Sequence, residues 1–394
     1  MTEKTEKFLE TKIYINKKIE ISVATAIFVL VVTMLAIFAR YTLFPYQSGD
    51  YNTFLANWFD TLKLNGGIKA IGLSLGDYTP PYVYILALLT YIPISSLVLI
   101  KTVSCIFDII CAILVCKMVY EKTLSQKTTL ISYLIMLFAP TILLNGALWA
   151  QCDIIFATFI VFSVYNFMKK KPIAGMIFFS ISFCFKLQAI FIVPLLILLW
   201  INKKVKLRHF LIIPATYIVS ILPAFIAGRP LKDLLMIYVS QTGTYSQISL
   251  SAPNPLLWIA NSKTTAEIAT FSVIFCIVII GSMLYFSFIK KIEFDDVMIL
   301  RFAVLCSILV PFLLPHMHER YFFIADILTV IYAFYVKKRT FVPVLMTAAS
   351  LICYTPYLFS VTPIPLQITP FLTGTLIIVL IHDIRQALTS TRCE

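Results

Sequence analysis

From Ile21 to Ile384 the chain is a succession of apolar runs, most near the roughly 20 residues a helix needs to cross a bilayer. Short lysine and arginine clusters separate them. Such an alternation leaves little with which to build a water-facing surface. With 60% apolar and 13% charged residues over 394 positions, the chain reads as an all-α polytopic membrane protein. The formal charge of +13 would suggest nucleic acid in a soluble protein. Here the basic residues collect between apolar runs, where they set topology, and no nucleic-acid partner is expected.

The nine cysteines lie mostly inside apolar runs without metal-type spacing, so free buried thiols are expected rather than zinc or a disulfide framework. Residues 21–38 are longer than a signal-peptide core and lack a clear cleavage site; they read as a retained span.

Topology follows from the basic clusters. Lys4, Lys7, Lys12, Lys17 and Lys18 precede the first span, which places the N-terminus in the cytoplasm and the loop 46–82 outside. Parity then turns on residues 82–93, a short apolar stretch ending in Ile92-Pro93. If it crossed, every later basic cluster would be external. It is therefore expected to lie in the interface, joined there by the amphipathic segment 52–64 with Phe54, Leu55, Trp58, Phe59 and Leu62 on one side. The later spans are expected at 96–120, 129–145, 154–168, 173–185, 189–201, 210–227, 268–288, 297–314, 321–336, 342–359 and 368–384. This gives about twelve spans, both termini cytoplasmic, in the cell membrane, or in the endoplasmic reticulum membrane of a eukaryote. Two modules are expected, 1–227 and 228–394.

Chosen on basic clusters alone, this topology delivers another set of residues to the opposite face: Asp50, Asp77, Trp149, Gln151, Asp153, Lys186, Gln188, His316, His318, Glu319 and Arg320. Asp50 and Asp77 stand in two Gly-Asp-Tyr triplets of a long polar loop, the kind of segment that carries function. Glycine-rich nucleotide loops are absent. A site facing away from the cytoplasm has little access to nucleotide sugars, so its activated substrate is expected to be carried in the lipid.

Each group has a structural alternative. A carboxylate after glycine is commonly a turn residue, so Asp50 reads either as a turn or as a proton acceptor. Asp77, followed by Tyr-Thr-Pro-Pro, reads as the lead-in to the next helix. Lys186 and Arg320 lie on the wrong side for routine basic residues and read as snorkelling groups or phosphate contacts. The two histidines of His-Met-His-Glu-Arg are one residue apart, whereas helical zinc pairs need i,i+4 spacing; no metal and no cofactor are expected. Lys101, Asp108 and Asp326 fall inside spans and are expected to pair within the bundle. The Trp149 region reads equally as an interfacial anchor.

Taken in order, Gly49-Asp50-Tyr51, Gly76-Asp77-Tyr78-Thr79-Pro80-Pro81, Phe185-Lys186-Leu187-Gln188 and His318-Glu319-Arg320 resemble the glycosyltransferase C (GT-C) superfamily. Within it the chain is most similar to family 57, the dolichyl-phosphate-glucose-dependent glucosyltransferases of asparagine-linked glycosylation. The resemblance covers residues 46–325. It implies the GT-C fold, Asp50 as catalytic base, Lys186 and Gln188 in place of the family's adjacent Lys-Gln pair, and His318, Glu319 and Arg320 in place of its His-Glu-Lys motif. Trp149-Ala-Gln-Cys-Asp153 stands where the family has a His-rich stretch. The short chain implies a bacterial relative using an undecaprenyl-phosphate sugar. The implied partners are a polyprenyl-phosphate sugar donor, a glycan or lipid-linked acceptor, and the bilayer.

The chemistry suits the residues. Displacing a lipid phosphate from an anomeric carbon passes through an oxocarbenium-like state while the acceptor hydroxyl loses a proton. Asp50 is expected to take that proton, and Lys186, Arg320 and a protonated His318 to stabilise the departing phosphate. Asp50 and His318 are thus the expected catalytic residues. Asp77, Trp149, Gln151, Asp153, Lys186, Gln188, His316, Glu319 and Arg320 are the expected substrate-binding ones. Single displacement implies an inverting hexosyltransferase. The alternative is a transporter or flippase of lipid-linked saccharides, which favours broken helices, midplane polar groups and internal repeats.

Overall fold

Backbone N–H and C=O groups cannot go unpaired in hydrocarbon, so apolar runs of this kind close their hydrogen bonds as helices. The computed structural model describes residues 8–16, 19–76, 78–241, 246–259 and 265–390, and it is helical almost throughout. A short antiparallel pair, β1 (Lys12–Asn16) and β2 (Ile19–Ser22), leads into α1 (Val23–Leu43). Two short helices follow, α2 (Ala56–Leu64) and α3 (Pro80–Leu89), then α4 (Ser96–Thr123) and α5 (Gln126–Phe138). Beyond α5 the chain bends by 43° into Pro140–Leu148. Next come α6 (Asp153–Met168), α7 (Pro172–Phe185), α8 (Val193–Ile201), α9 (Ile212–Ile226) and α10 (Leu231–Gln241). After β3 (Ser249–Leu250) lie α11 (Thr265–Lys290) and α12 (Asp296–Leu313); β4 (Met317–His318) then precedes α13 (Phe323–Tyr335), α14 (Phe341–Phe359) and α15 (Thr369–Ser390).

Among the described residues seven helices are long and apolar enough to cross a membrane: Val23–Leu43, Ser96–Thr123, Leu207–Ile226, Ala266–Lys290, Asp296–Leu313, Phe341–Phe359 and Leu366–Thr389. The bent pair of α5 and Pro140–Leu148 makes an eighth if it counts as one span. The other four apolar helices expected as spans are shorter: α6, α7, Leu187–Ile201 and α13. Two of these four are interior helices. In α13 every residue of 323–332 is buried, and in α6 every residue except Phe159, Phe162 and Tyr165 is at least nine-tenths covered. By contrast α1 exposes Leu30, Met34 and Phe38, and α11 exposes Phe271, Ile277 and Phe288, each at 60% or more. Apolar surface on that scale needs hydrocarbon around it, and the molecule is a membrane protein.

One apolar core runs from Val32 to Ile384. α6 packs on α4 and α7 from the first part of the chain and on α12 and α13 from the second, so both parts build one interior. α3 is only ten residues long, about 15 Å of helix against a hydrocarbon core of about 30 Å. Thr79 is its extended N-cap and Pro80 and Pro81 open its first turn, where missing N–H groups cost nothing. The eight described cysteines are free, as expected.

Of the three charges expected to pair inside the bundle, Asp108 has an ionic partner, Lys101 has carbonyls and, among the described residues, Asp326 only a hydroxyl. Arg40 Nε of α1 donates to Asp108 Oδ2 at 2.8 Å, and both groups are buried. Lys101 instead donates to the carbonyls of Leu43, Phe44 and Tyr46 at 3.2, 3.0 and 2.6 Å, where α1 ends. A cation there satisfies carbonyls that have no helical partner and fixes the exit of the chain toward Asp50. Ser350 donates to Asp326 Oδ1 at 3.1 Å. Lys101→Met is expected to cost about 2 kcal/mol, read as a lower unfolding temperature in detergent. An unchanged temperature would mean that the α1 exit is held by other contacts.

Candidate active site

The polar loop delivers Asp50 through Ser48. The Ser48 hydroxyl donates to the Trp149 carbonyl at 2.6 Å and accepts from the Tyr51 amide at 3.2 Å, which starts a helix at residue 49. Tyr51–Leu55 then takes a wide π-type turn. A second π-type turn, Leu144–Leu148, precedes Trp149, and turns of this kind concentrate at functional sites. A β-carbon at Gly49 would lie 3.0 Å from the Tyr357 hydroxyl oxygen, a tight contact that a larger residue would have to push aside.

Three side chains fix the Asp50 carboxylate. Trp149 Nε1 and Gln151 Nε2 donate to Oδ2 at 3.0 and 2.5 Å, and the Tyr357 hydroxyl donates to Oδ1 at 2.7 Å. Trp149 and Gln151 reach the same oxygen because the residue between them, Ala150, is left-handed at φ 67°. The Gln151 amide turns back to Asn145 O at 2.9 Å. A non-glycine residue held at positive φ stores strain, tolerated where the surroundings enforce it.

Lys186 caps α7 in extended geometry and is 8% exposed. Its ammonium group is hydrogen-bonded to Asp153 Oδ1, while Asn145 Nδ2 holds Asp153 Oδ2 at 2.9 Å. The Tyr78 ring lies 5.4 Å from Lys186 Nζ. Burial pushes the Tyr78 phenol well above its ordinary range, so it stays a protonated donor.

The His-Glu-Arg segment is positioned by strand pairing with the 246–259 loop. β3 and β4 are parallel, with the His316 amide donating to Ile248 O at 2.8 Å and the Glu319 amide to Leu250 O at 3.0 Å. His316 is left-handed at φ 59°, and its Nδ1 lies 2.7 Å from Gln247 O. Asn254 Nδ2 donates to Pro311 O and Leu314 O, carbonyls at the end of α12, at 3.2 Å each. Arg320 emerges between three carboxylates: Glu319 at 3.3 Å, Asp50 at 3.8 Å and Asp153 at 3.9 Å. Its guanidinium also lies 5.5 Å from the Trp149 ring.

These segments enclose a cavity of about 470 Å³ whose wall includes Asp50, Gln151, Lys186, Gln188, His316 and Arg320. The rest of the wall is largely apolar, from Phe54 and Trp58 through Phe191 to Val273 of α11. Gln188 Oε1 is buried on this wall without a hydrogen-bond partner. No family model matches the sequence, and a search of curated proteins finds no significant match. The site therefore speaks through its own geometry.

Six expected site residues line the cavity, and four stand one layer behind it: Trp149, Asp153, His318 and Glu319. Asp77 lies outside the described residues. Sequence reasoning missed Ser48, Tyr78, Asn145 and Tyr357. The signal for Tyr357 was parity, since the end of the span 342–359 falls on the same face as Asp50.

His318 departs from the expectation of a protonated group at the phosphate. It is 7% exposed and off the cavity wall, with Nδ1 3.8 Å from Glu319 Oε2. Burial pushes its imidazole below the ordinary histidine value despite Glu319, so the neutral ring is favoured. The unfolded chain takes up a proton near pH 6.5 that the native ring resists, so this group lowers stability as pH falls below about 6.5 and has no effect above it. Between pH 7 and 5 the unfolding temperature is expected to fall less for His318→Gln than for the wild type. Equal falls would locate the acid sensitivity elsewhere.

Proposed function

We propose that the chain is a multi-pass inverting glycosyltransferase of the GT-C type. It moves one hexose, with glucose the sugar its family resemblance implies, from a polyprenyl-phosphate carrier to an extracytoplasmic glycan or lipid-linked acceptor. The observation that carries this reading is one cavity, built from segments distant in sequence, that brings the fixed Asp50 carboxylate and the cations of Lys186 and Arg320 onto a largely apolar wall. The apolar part suits a polyprenyl chain and reaches lipid-facing α11 at Val273. Lys186 and Arg320 suit its phosphate because both stand on the cavity wall, held in place by Asp153 and Glu319, which do not line it.

In this reading Asp50 accepts the proton of the acceptor hydroxyl and the sugar inverts in a single displacement. Gln188, with an unpaired carbonyl oxygen on the wall, takes a donor hydroxyl of the sugar. The four shorter helices bring the number of spans to about twelve, with the bilayer thinned around them, the basic clusters cytoplasmic and the cavity outside. A transporter gathers its polar groups at helix breaks near the midplane. Lys186 and Gln151 also stand at helix breaks here, but the internal repeats common in transporters are not visible in this sequence.

The test is to incubate purified protein in nanodiscs with synthetic polyprenyl-phosphate glucose, galactose and mannose. Sugar-dependent release of polyprenyl phosphate is expected with at least one donor. Transbilayer movement of the donors without cleavage would identify a flippase instead.

A further inference from the structure

The two oxygens of Asp50 serve different spaces. Oδ2 is approached by Gln151 and Arg320, both on the cavity wall. Oδ1 accepts from Tyr357, which is absent from that wall. Tyr357 stands near the end of α14 and is 41% exposed. Trp149, itself fully buried, stacks on one face of the Tyr357 ring at 4.8 Å and 22°. What Tyr357 exposes is therefore its opposite face and its edge. The Tyr46 hydroxyl ties the loop before Asp50 to α14 through Leu358 O at 2.5 Å. An open aromatic face, with its hydroxyl bonded to the carboxylate, thus stands beside the cavity but outside it.

We propose that this face is the acceptor subsite and that the acceptor is a saccharide whose ring rests on Tyr357, an inference that presupposes the transfer reaction above. The C–H face of a pyranose matches an aromatic ring, and its hydroxyls match the polar tip. Trp149 and Gln151 fill both acceptor positions of Oδ2, whereas Tyr357 fills one of the two on Oδ1. The remaining position takes the proton of the acceptor hydroxyl as that oxygen bonds to the anomeric carbon. The bond from this carbon to the phosphate oxygen breaks, and its electron pair leaves on the phosphate beside Lys186 and Arg320. Acceptor and leaving group then lie on opposite sides of the sugar, as an in-line displacement requires. A serine or threonine hydroxyl on a protein has no ring to stack, so the geometry selects a glycan acceptor.

The test supplies the full chain in nanodiscs with polyprenyl-phosphate glucose, galactose or mannose and separate acceptors: octyl glucoside, octyl galactoside, octyl N-acetylglucosaminide and a threonine-containing peptide. Transfer is expected to at least one glycoside and not to the peptide. Tyr357→Ala is expected to raise the acceptor KM about tenfold more than it raises the donor KM. Tyr357→Phe keeps the ring and is expected to recover most of that loss. An acceptor KM unmoved by Tyr357→Ala, transfer to the peptide, or hydrolysis of the donor with no transfer to any glycoside would overturn the inference and leave the transferase reading standing. A wild-type protein that consumes no polyprenyl-phosphate sugar would remove that reading, and the inference with it.

Discussion

Asp50→Asn is expected to lower sugar transfer by about 10³-fold while donor affinity changes only a few-fold. The substitution is nearly isosteric, and its consequence follows from the three donors around the side chain. Trp149 and Gln151 both donate toward the Oδ2 position, so the side-chain amide of the variant is held with its oxygen there and its nitrogen toward Tyr357. Tyr357 can reverse its hydroxyl and accept. The position that should receive the acceptor's proton then carries N–H and has no lone pair. Rates of product formation and donor binding, measured on the same preparation, separate this loss from misfolding. Full turnover by Asp50→Asn would remove Asp50 as the base.

The second large effect is expected for Lys186→Ala, with kcat lower by about 10² to 10³-fold through loss of phosphate stabilisation. Its stability should also fall, because Asp153 is left as a buried carboxylate with only Asn145 and the more distant Arg320 to compensate it. Breaking one side of a buried pair costs about 3 to 5 kcal/mol. Lys186→Ala combined with Asp153→Asn removes both charges and is expected to recover most of the stability but none of the activity. Recovery of both would show that Lys186 matters only as the partner of Asp153.

Most helix positions are legible in the sequence because hydrocarbon leaves the backbone so few options. What apolar runs do not show is depth within the bundle. The spans expected at 154–168 and 321–336 turn out to be the interior helices α6 and α13, almost wholly covered by protein neighbours. Sidedness was read in a different way. Basic clusters were the ground for assigning one face, and six of the residues expected on the other line one cavity, a convergence that does not itself orient the molecule in a membrane.

The layering within that site was not legible. Asp153 holds Lys186 across 33 residues, and Trp149 holds Asp50 across 99, distances at which no local pattern operates. His318 looked like a cation at the phosphate, but the pairing of β4 with β3 turns it behind the wall, where burial favours its neutral form. Tyr357 lies beyond the motifs between residues 46 and 325, so only the parity of its helix hinted at it.

The measurement that bears most directly on the central claim is a cryo-EM structure of the protein in nanodiscs with a non-hydrolysable polyprenyl-phosphonate glucose. The account requires the phosphonate between Lys186 and Arg320, the sugar's anomeric carbon beside Asp50, and the prenyl chain leaving along Phe191 and Val273. Ligand density outside this cavity, or a phosphonate out of reach of both cations, would contradict it.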